Sequence, residues 1–341
     1  MLRALAAIEI LFAHLWPTMA QFGGGNLIPN FLFGASGVDL FFVISGFIMV
    51  FTSEKLFTRS GASFNFLKRR LIRIVPLYWL LTTVVVVVWY RFDPPSHTTW
   101  TNIVGSYFFI PTTRPNGGTE PVLGVGWTLN YEMFFYCLFA ITIIFKRNIA
   151  VIVLSVLLVL FVNIPTRLGI ALPAAFAVWG SSMVYEFAFG MWIALAFLTG
   201  YRLRPPLALA LGAAGLALMV YTHLEEFTVV SRTLGWGGGA AMIVAAVTLN
   251  DSTRKLPTAF RPLVSIGDAS YALYLFHSFV PIFLLVLHAP SIIDPLNNPL
   301  TYCGIIVILS LAGAFALNNI DAIGRTWMLN SNYPVKLKVP G

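Results

Sequence analysis

The chain has 341 residues, of which 58% are hydrophobic and only 10% are charged. A soluble domain carries about 25% charged residues, so the composition excludes an ordinary water-soluble protein and indicates a chain surrounded by lipid. The net charge of +8 at pH 7 would also suit a nucleic-acid partner, but Lys and Arg in the loops of a membrane protein explain it better. We therefore expect the lipid bilayer, and no nucleic acid, among the partners.

Ten apolar segments approach the length of about 20 residues that a helix needs to cross a bilayer. In chain order, the predicted spans are residues 2–20, 37–53, 74–90, 121–145, 149–163, 178–199, 205–222, 228–249, 265–287 and 300–320. The intervening segments leave no room for a water-soluble domain. The sequence predicts an all-α, polytopic transmembrane bundle of about ten helices, which forms a single domain over residues 1–341 without a soluble C-terminal domain.

The charges of the loops set the orientation of this bundle. With the N-terminus in the cytoplasm, 17 of the 21 Lys and Arg residues fall in cytoplasmic segments. The remaining four fall outside and are Arg91, Arg114, Arg167 and Arg232. Because cytoplasmic loops of membrane proteins are enriched in basic residues, this alternation predicts that both termini are cytoplasmic. One missed helix would reverse every later loop and spoil the pattern.

Several ionisable side chains fall inside the predicted spans, where they are costly and mark function by default. They are Glu9, His14, Asp39, Glu132, Glu186 and His277. Glu9 lies off the helix face that carries His14, and we expect a structural role for it. At about 1.5 Å per residue, His14, Glu132, Glu186 and His277 come near the middle of the bilayer, and we expect these four to form one polar cluster. Architecture is the alternative for His277, Glu132 and Glu186, as interhelical hydrogen-bond or ion-pair partners. Asp39 lies at the outer end of its span, where capping the helix is favoured over facing an external cleft.

A basic cluster precedes the third predicted span on the cytoplasmic side. Such clusters commonly anchor a span or contact anionic lipid head groups. Arg70 and Arg73, however, are spaced i, i+3 and share a helix face, and paired guanidinium groups suit phosphate. Arg3 lies eleven residues before His14, about three helical turns, so both share one face of the first span. The pattern favours a phosphorylated, water-soluble cofactor that arrives from the cytoplasm. The five histidines and two cysteines show no ligand spacing, so no metal site is predicted.

Motifs that run in order through the chain resemble those of the acyltransferase-3 family of membrane O-acyltransferases, and most closely its branch that modifies bacterial exopolysaccharide and lipopolysaccharide. These motifs are LRALAA at 2–7 followed by His14, GVDLFFVISGFIM at 37–49, the pair Arg70 and Arg73, WTLNYEMFFY at 127–136, and GDASYALYLFH at 267–277. Singly none is specific, but together they cover nearly the whole chain.

This resemblance implies a multi-pass acyltransferase of the bacterial inner membrane. It implies that an acyl group, most often acetyl, moves from cytoplasmic acyl-CoA to a hydroxyl of an extracytoplasmic polysaccharide or lipid-linked sugar. The family's essential histidine falls on His14, and its conserved acids fall on Asp39 and Glu132, with Glu186 in a supporting position. The conserved arginines fall on Arg3, Arg70 and Arg73, and Tyr271 and His277 lie in the last motif.

The expected mechanism combines both lines of reasoning. The three arginines hold the phosphates of acetyl-CoA, and His14 meets the thioester as a general base or as a nucleophile. We expect Glu132 to orient His14, and Asp39 and His277 to face the acceptor sugar. The main alternative is a transporter or flippase with a proton relay, since buried carboxylates and histidines also serve that purpose. Binding of coenzyme A separates the two.

Overall fold

The structure is a computed structural model that describes residues 1–28, 32–92, 98–224, 228–251, 257–286, 294 and 297–330. The regular elements of these residues are all helices, and one isolated bridge joins Leu203 to Asn250. We number the α-helices α1 Leu2–Ala20, α2 Gly37–Thr52, α3 Ala62–Phe92, α4 Trp100–Tyr107, α5 Trp127–Thr142, α6 Arg147–Leu168, α7 Ala174–Trp179, α8 Tyr185–Leu198, α9 Pro205–Leu224, α10 Val229–Arg232, α11 Gly238–Thr248, α12 Arg261–Asp268, α13 Ser270–Phe276, α14 Phe279–Val286 and α15 Pro299–Asn330.

Six of the described helical segments are long and apolar enough to cross a membrane, and a seventh span results if one bent pair is counted. The bent pair joins α12 to α13 and α14 at an angle of 54°. Two further apolar segments, Ser182–Leu198 and Thr233–Thr248, are shorter. The all-helical prediction is confirmed, whereas the count of ten spans and the orientation of the termini stay predictions.

Two predicted boundaries differ from the observed ones. The sequence predicts the third span at 74–90, but α3 covers Ala62–Phe92, so the basic cluster belongs to the same helix as the span. The fourth was predicted at 121–145, but α5 begins only at Trp127. The segment before Trp127 contains a proline and two glycines, which favour turns over helix.

The helices α2 and α8 pack unusually closely. A Cβ atom added at Gly190 would lie 1.9 Å from the carbonyl oxygen of Val43, and one added at Gly46 would lie 2.0 Å from that of Phe187. Reciprocal glycines therefore let the two backbones touch, as small residues do at helix interfaces within membranes. This contact fixes α8, which carries Glu186, against α2, which carries Asp39.

The substitution Gly190→Ala is expected to lower the free energy of unfolding by about 1–3 kcal/mol, because the new methyl group forces the two helices apart. Thermal unfolding in detergent measures the effect. Gly304→Ala is the matched control, because a Cβ added at this helical glycine of α15 meets no atom within 4 Å. An unchanged unfolding temperature for Gly190→Ala would contradict the close approach.

Candidate functional site

A cleft between α1, α2, α3, α5 and α13 contains three arginines, and we call it the arginine cleft. It encloses about 690 Å³ of empty space, part of which is open to solvent. Its polar and charged lining residues are Arg3, Ser45, Arg70, Arg73, Thr128, Glu132, Tyr136, Tyr271 and Tyr274. The structure therefore brings together all three arginines that the sequence singled out, together with Glu132 and Tyr271.

The arginines of this cleft are held with different degrees of restraint. Arg70 donates a hydrogen bond to the hydroxyl oxygen of Thr52 at 3.1 Å, and its guanidinium lies 5.7 Å from the ring centroid of Tyr136. Arg3 and Arg73 are close enough to repel each other. Among the described residues, the structure records no hydrogen bond for the guanidinium of either one. Three cations and one carboxylate leave the cleft with a net positive charge, which favours an anion as its ligand.

The carboxylate of Glu132 is anchored in the arginine cleft. It accepts a hydrogen bond from the Ser45 hydroxyl at 2.7 Å and another from the Tyr136 hydroxyl. Tyr271 lines the same cleft and donates to the carbonyl oxygen of Ile74 at 2.7 Å. These bonds fix the carboxylate near the cations of α1 and α3.

His14 lies outside the arginine cleft, on two adjoining cavities. The histidine cavity is lined by His14, Thr18, Gln21, His277 and Ser278, with apolar neighbours. The tryptophan cavity is lined by His14, Trp89, Glu120, Trp127 and Ser278, also with apolar neighbours. Since both cavities share His14, its exposed imidazole is accessible from each.

Hydrogen bonds assign the tautomer of both histidines. Nδ1 of His14 lies 2.8 Å from the carbonyl oxygen of Ile10, so Nδ1 carries the proton and the lone pair is on Nε2. Nδ1 of His277 makes the same contact with the carbonyl oxygen of Leu273 at 3.1 Å. The two rings meet edge to face with centroids 4.8 Å apart. His277 is 2% exposed and its Nε2 has no hydrogen-bond partner among the described residues.

A hydrogen-bonded group separates the arginine cleft from the cavities of His14. The hydroxyl of Tyr274 donates to the carbonyl oxygen of Val125 at 2.6 Å and shares a hydrogen bond with the Thr128 hydroxyl at 2.8 Å. Tyr274 lines the arginine cleft, whereas Val125 lines the tryptophan cavity. The ring of Tyr274 also lies 6.0 Å from that of His277. We call Tyr274, Thr128 and Val125 the partition, because their hydrogen bonds connect the lining of the arginine cleft to the lining of the tryptophan cavity.

Asp39 forms a third polar group with Arg232 and Glu186. Arg232 donates to both carboxylate oxygens of Asp39, from Nε at 3.1 Å and from Nη2 at 2.8 Å. Asp39 and Glu186 are both 0% exposed. Glu186 is close enough to interact electrostatically with the other two, and its carboxyl group lies against that of Asp39. The guanidinium of Arg232 also lies against the rings of Trp127 and Trp236.

Two sequence-based expectations about Asp39 and Arg232 require correction. The N-cap residue of α2 is Ser36, whereas Asp39 lies within the first turn, and its carboxylate pairs with a distant arginine. Arg232 was counted only as a loop charge. A signal for the pair does exist in the sequence. Arg232 lies near the start of the predicted span 228–249 and Asp39 near the start of the predicted span 37–53, and the predicted orientation puts both starts at the outer side.

The prediction of one mid-membrane cluster is also wrong. Glu132 belongs to the arginine cleft, His14 and His277 face each other, and Glu186 joins Asp39. Consequently Glu132 does not orient His14; the Ile10 carbonyl does. Depth along a helix follows from residue number, but the direction in which each side chain points depends on how the helices are rotated against each other. Tyr274, Ser45 and Tyr136 were missed as site residues for the same reason.

Comparison with known proteins is consistent with these motifs. The chain is 35% identical over 252 residues to the exopolysaccharide production protein ExoZ of Rhizobium meliloti, covering 73% of this chain and 77% of the relative. It is 28% identical over 327 residues to the O-acetyltransferase OatA of Staphylococcus aureus, covering 83% of this chain but only 50% of that protein. It is 27% identical over 315 residues to the acyltransferase MdmB of Streptomyces mycarofaciens, covering 82% and 77%.

No solved structure matches this chain significantly. The family model described as an acyltransferase domain matches residues 1–319. This range contains the arginine cleft, both histidines and the Asp39–Arg232 pair. Because the match takes in nearly the whole chain, and because its apolar helices suit a bilayer, the protein belongs to the acyltransferase-3 family of membrane acyltransferases.

Proposed function

We propose that this acyltransferase moves an acyl group, most often acetyl, from cytoplasmic acyl-CoA to a hydroxyl of an extracytoplasmic polysaccharide or lipid-linked sugar. Support for the acceptor comes from the similarity to a protein named for exopolysaccharide production, and support for acetyl from an O-acetyltransferase. Support for the donor comes from the charge of the arginine cleft. We further propose that residues 1–341 act as one transmembrane domain in the bacterial inner membrane.

The proposed orientation has about ten spans with both termini in the cytoplasm, as the distribution of Lys and Arg indicates. Arg3, in the first turn of α1, then lies at the cytoplasmic side. His14 follows eleven residues later on the same helix, about 16 Å farther along its axis. The observation that carries the proposal is this pairing of a cationic cleft at one level with an accessible imidazole at another, both built on α1.

The arginine cleft is proposed to hold the phosphates of coenzyme A. Arg70 and Arg73 are one turn apart on α3, and Arg3 and Arg73 lack hydrogen-bond partners among the described residues. Guanidinium groups bind phosphate oxygens in pairs, with shorter and stronger bonds than neutral donors make. Glu132, Tyr136 and Tyr271 support this cleft by fixing its wall. The pantetheine arm then extends past the partition toward His14.

His14 is proposed to perform the transfer through Nε2. As a general base, Nε2 takes the proton of the acceptor hydroxyl while the oxygen attacks the thioester carbonyl carbon. The C–S bond then breaks, and the imidazolium gives this proton to the departing thiolate. As a nucleophile, Nε2 itself attacks this carbon and the C–S bond breaks, which releases the thiolate. The sugar oxygen then attacks the acyl carbon, the C–N bond to the imidazole breaks, and the hydroxyl proton passes to the thiolate. Both routes need the Nδ1-protonated tautomer that the Ile10 carbonyl favours.

Binding of coenzyme A is expected to weaken at least 100-fold in the Arg70→Ala/Arg73→Ala variant, because each hydrogen bond to a charged group is worth about 1.5–3 kcal/mol. Isothermal titration of detergent-purified protein with coenzyme A measures this loss. Arg69→Ala is the matched control: Arg69 is an exposed neighbour on α3 that does not line the cleft, so its loss should leave affinity unchanged. If folded wild-type protein binds no coenzyme A, the transporter alternative is favoured, and His14 and His277 become candidates for its proton path.

A further inference from the structure

The tryptophan cavity lies on the far side of the partition from the three arginines and has a different chemical character. Trp89 is sixteen residues beyond Arg73 on α3, about 24 Å along the helix. Trp127 begins α5, whereas Glu132 and Tyr136 lie farther along it. The cavity holds about 760 Å³ of empty space, partly open to solvent. In the proposed orientation, Trp89 lies toward the extracytoplasmic end of α3, and this end of the cavity would face the acceptor.

We propose that the tryptophan cavity is the acceptor subsite and binds a sugar ring through Trp89, Trp127 and Glu120. This inference rests on the proposed function and names the residues that recognise its acceptor. A pyranose ring has C–H groups on its faces and hydroxyl groups around its edge. Indole rings pack against the C–H faces, and a carboxylate accepts hydrogen bonds from the hydroxyl groups. Both residue types line this cavity together with His14.

The loop that carries Glu120 is pinned in place by buried polar side chains. The side-chain amide of Asn102 donates to the carbonyl oxygen of Thr113 at 3.1 Å and to the hydroxyl of Thr112 at 2.8 Å. The hydroxyl of Ser106 accepts from the backbone N–H of Val122 at 2.8 Å. Asn102 and Ser106 are 1% and 2% exposed. Helix α4 therefore acts as a buttress for this loop, and a preformed wall is what a binding site requires.

Glu120 itself is presented to the cavity by this pinned loop. Its side chain is exposed, and Arg114 is close enough to interact with it electrostatically. The guanidinium of Arg114 is in turn bonded to the carbonyl oxygen of Pro121. The absence of a side chain at Gly118 leaves space for the carboxylate, since a Cβ there would lie 2.5 Å from Oε2 of Glu120. The loop thus offers a hydroxyl-binding oxygen on the wall that His14 also lines.

The indole of Trp127 connects this subsite to the buried ion pair. The guanidinium of Arg232 lies 5.9 Å from its ring centroid, and the ring of Tyr131 meets it edge to face at 5.9 Å. These contacts restrict the indole from the protein side. The proposed role of Asp39 toward the acceptor is therefore indirect: it holds Arg232, which holds Trp127, and it does not face the sugar itself.

The test uses inside-out and permeabilised membrane vesicles that contain the full chain, with radiolabelled acetyl-CoA as donor. Two acceptor probes come from the strain that carries this gene: its polysaccharide after ester removal by mild alkali, and its extracted lipid-linked oligosaccharide. Whichever probe takes up label identifies the source of the acceptor sugar. Glu120→Gln and Trp89→Leu are expected to raise the KM for this probe about tenfold or more. The KM for acetyl-CoA should stay unchanged, because neither residue lines the arginine cleft.

Matched controls and a check of folding keep the outcomes distinct. Trp100→Leu removes a 73% exposed indole that does not line the cavity, and Glu54→Gln removes an exposed carboxylate that pairs with Arg147; neither should change any KM. Size-exclusion profiles and coenzyme A binding confirm that the variants fold. An unchanged acceptor KM in both Glu120→Gln and Trp89→Leu overturns the acceptor subsite alone. A wild-type protein that labels neither probe overturns the proposed function, and the subsite with it.

Discussion

Replacing His14 with alanine is expected to reduce acyl transfer by a factor of about 10²–10⁴, the usual contribution of a positioned acid–base group, and by more if the imidazole forms a covalent intermediate. The reason is that Nε2 of His14 is an accessible lone pair, oriented by the bond from Nδ1 to the Ile10 carbonyl. Transfer of label from acetyl-CoA to the acceptor polysaccharide measures the effect. The affinity for coenzyme A should not change, because His14 does not line the arginine cleft.

His14→Gln provides the conservative comparison. Its side-chain amide retains hydrogen-bonding capacity but supplies no basic nitrogen, so this variant should be as inactive as the alanine variant while folding normally. His223→Gln is the matched histidine control: His223 contacts Phe33 and Trp236 and lines none of the three cavities described above. Wild-type activity in His14→Ala would make the central assignment wrong and would leave the function of the paired histidines open to the transporter alternative.

Breaking the pair between Asp39 and Arg232 is expected to cause the largest loss of stability. Removing one partner of a buried ion pair costs about 3–5 kcal/mol, because the other charge stays buried without compensation. We expect Arg232→Met to have the greater effect, since the adjoining carboxyl groups of Asp39 and Glu186 then lose the cation with which both interact. Asp39→Leu should cost less, because Glu186 is positioned to neutralise Arg232 in part. Unfolding by sodium dodecyl sulfate in mixed micelles measures the free energies.

The double variant Asp39→Leu/Arg232→Met decides whether the two residues act as a pair. Replacing both partners of a buried ion pair by apolar residues is often nearly neutral, so the double variant should be more stable than Arg232→Met alone. Additive losses would argue against a direct coupling between the two residues. If Asp39→Leu proves more damaging than Arg232→Met, Glu186 does not take over the role that its burial beside Asp39 suggests.

The partition has a consequence for how donor and acceptor meet. The hydroxyl of Tyr274, which lines the arginine cleft, bonds to the Thr128 hydroxyl and to the carbonyl oxygen of Val125, which lines the tryptophan cavity; the partition therefore lies where the two spaces adjoin. Under the proposed function, the acyl group must pass it while the phosphates and the sugar stay on their own sides. Under that proposal, the division would limit contact between the thioester and water in the tryptophan cavity, which would otherwise compete with the acceptor hydroxyl.

The sequence by itself determined the class of protein and its chemistry. Its low charge and apolar segments predicted the all-helical membrane fold, and ordered motifs from residue 2 to residue 277 predicted the acyltransferase-3 family, which the family match confirms. These features are local or compositional: hydrophobicity follows from the residues alone, and motifs keep their spacing along the chain. The same local logic correctly grouped Arg70 with Arg73, since residues three apart on a helix share a face.

Only the tertiary structure decided which side chains meet. It placed Glu132 with the arginines, turned His14 toward His277, and brought Arg232 to Asp39 across 193 positions of sequence. It also extended α3 through the basic cluster and pinned the loop of Glu120 with Asn102 and Ser106. Residue number gives the depth of a side chain within a span, but its neighbours depend on the rotation and tilt of whole helices. Those are set by packing between distant segments, such as the glycine contact of α2 with α8, and no local pattern encodes them.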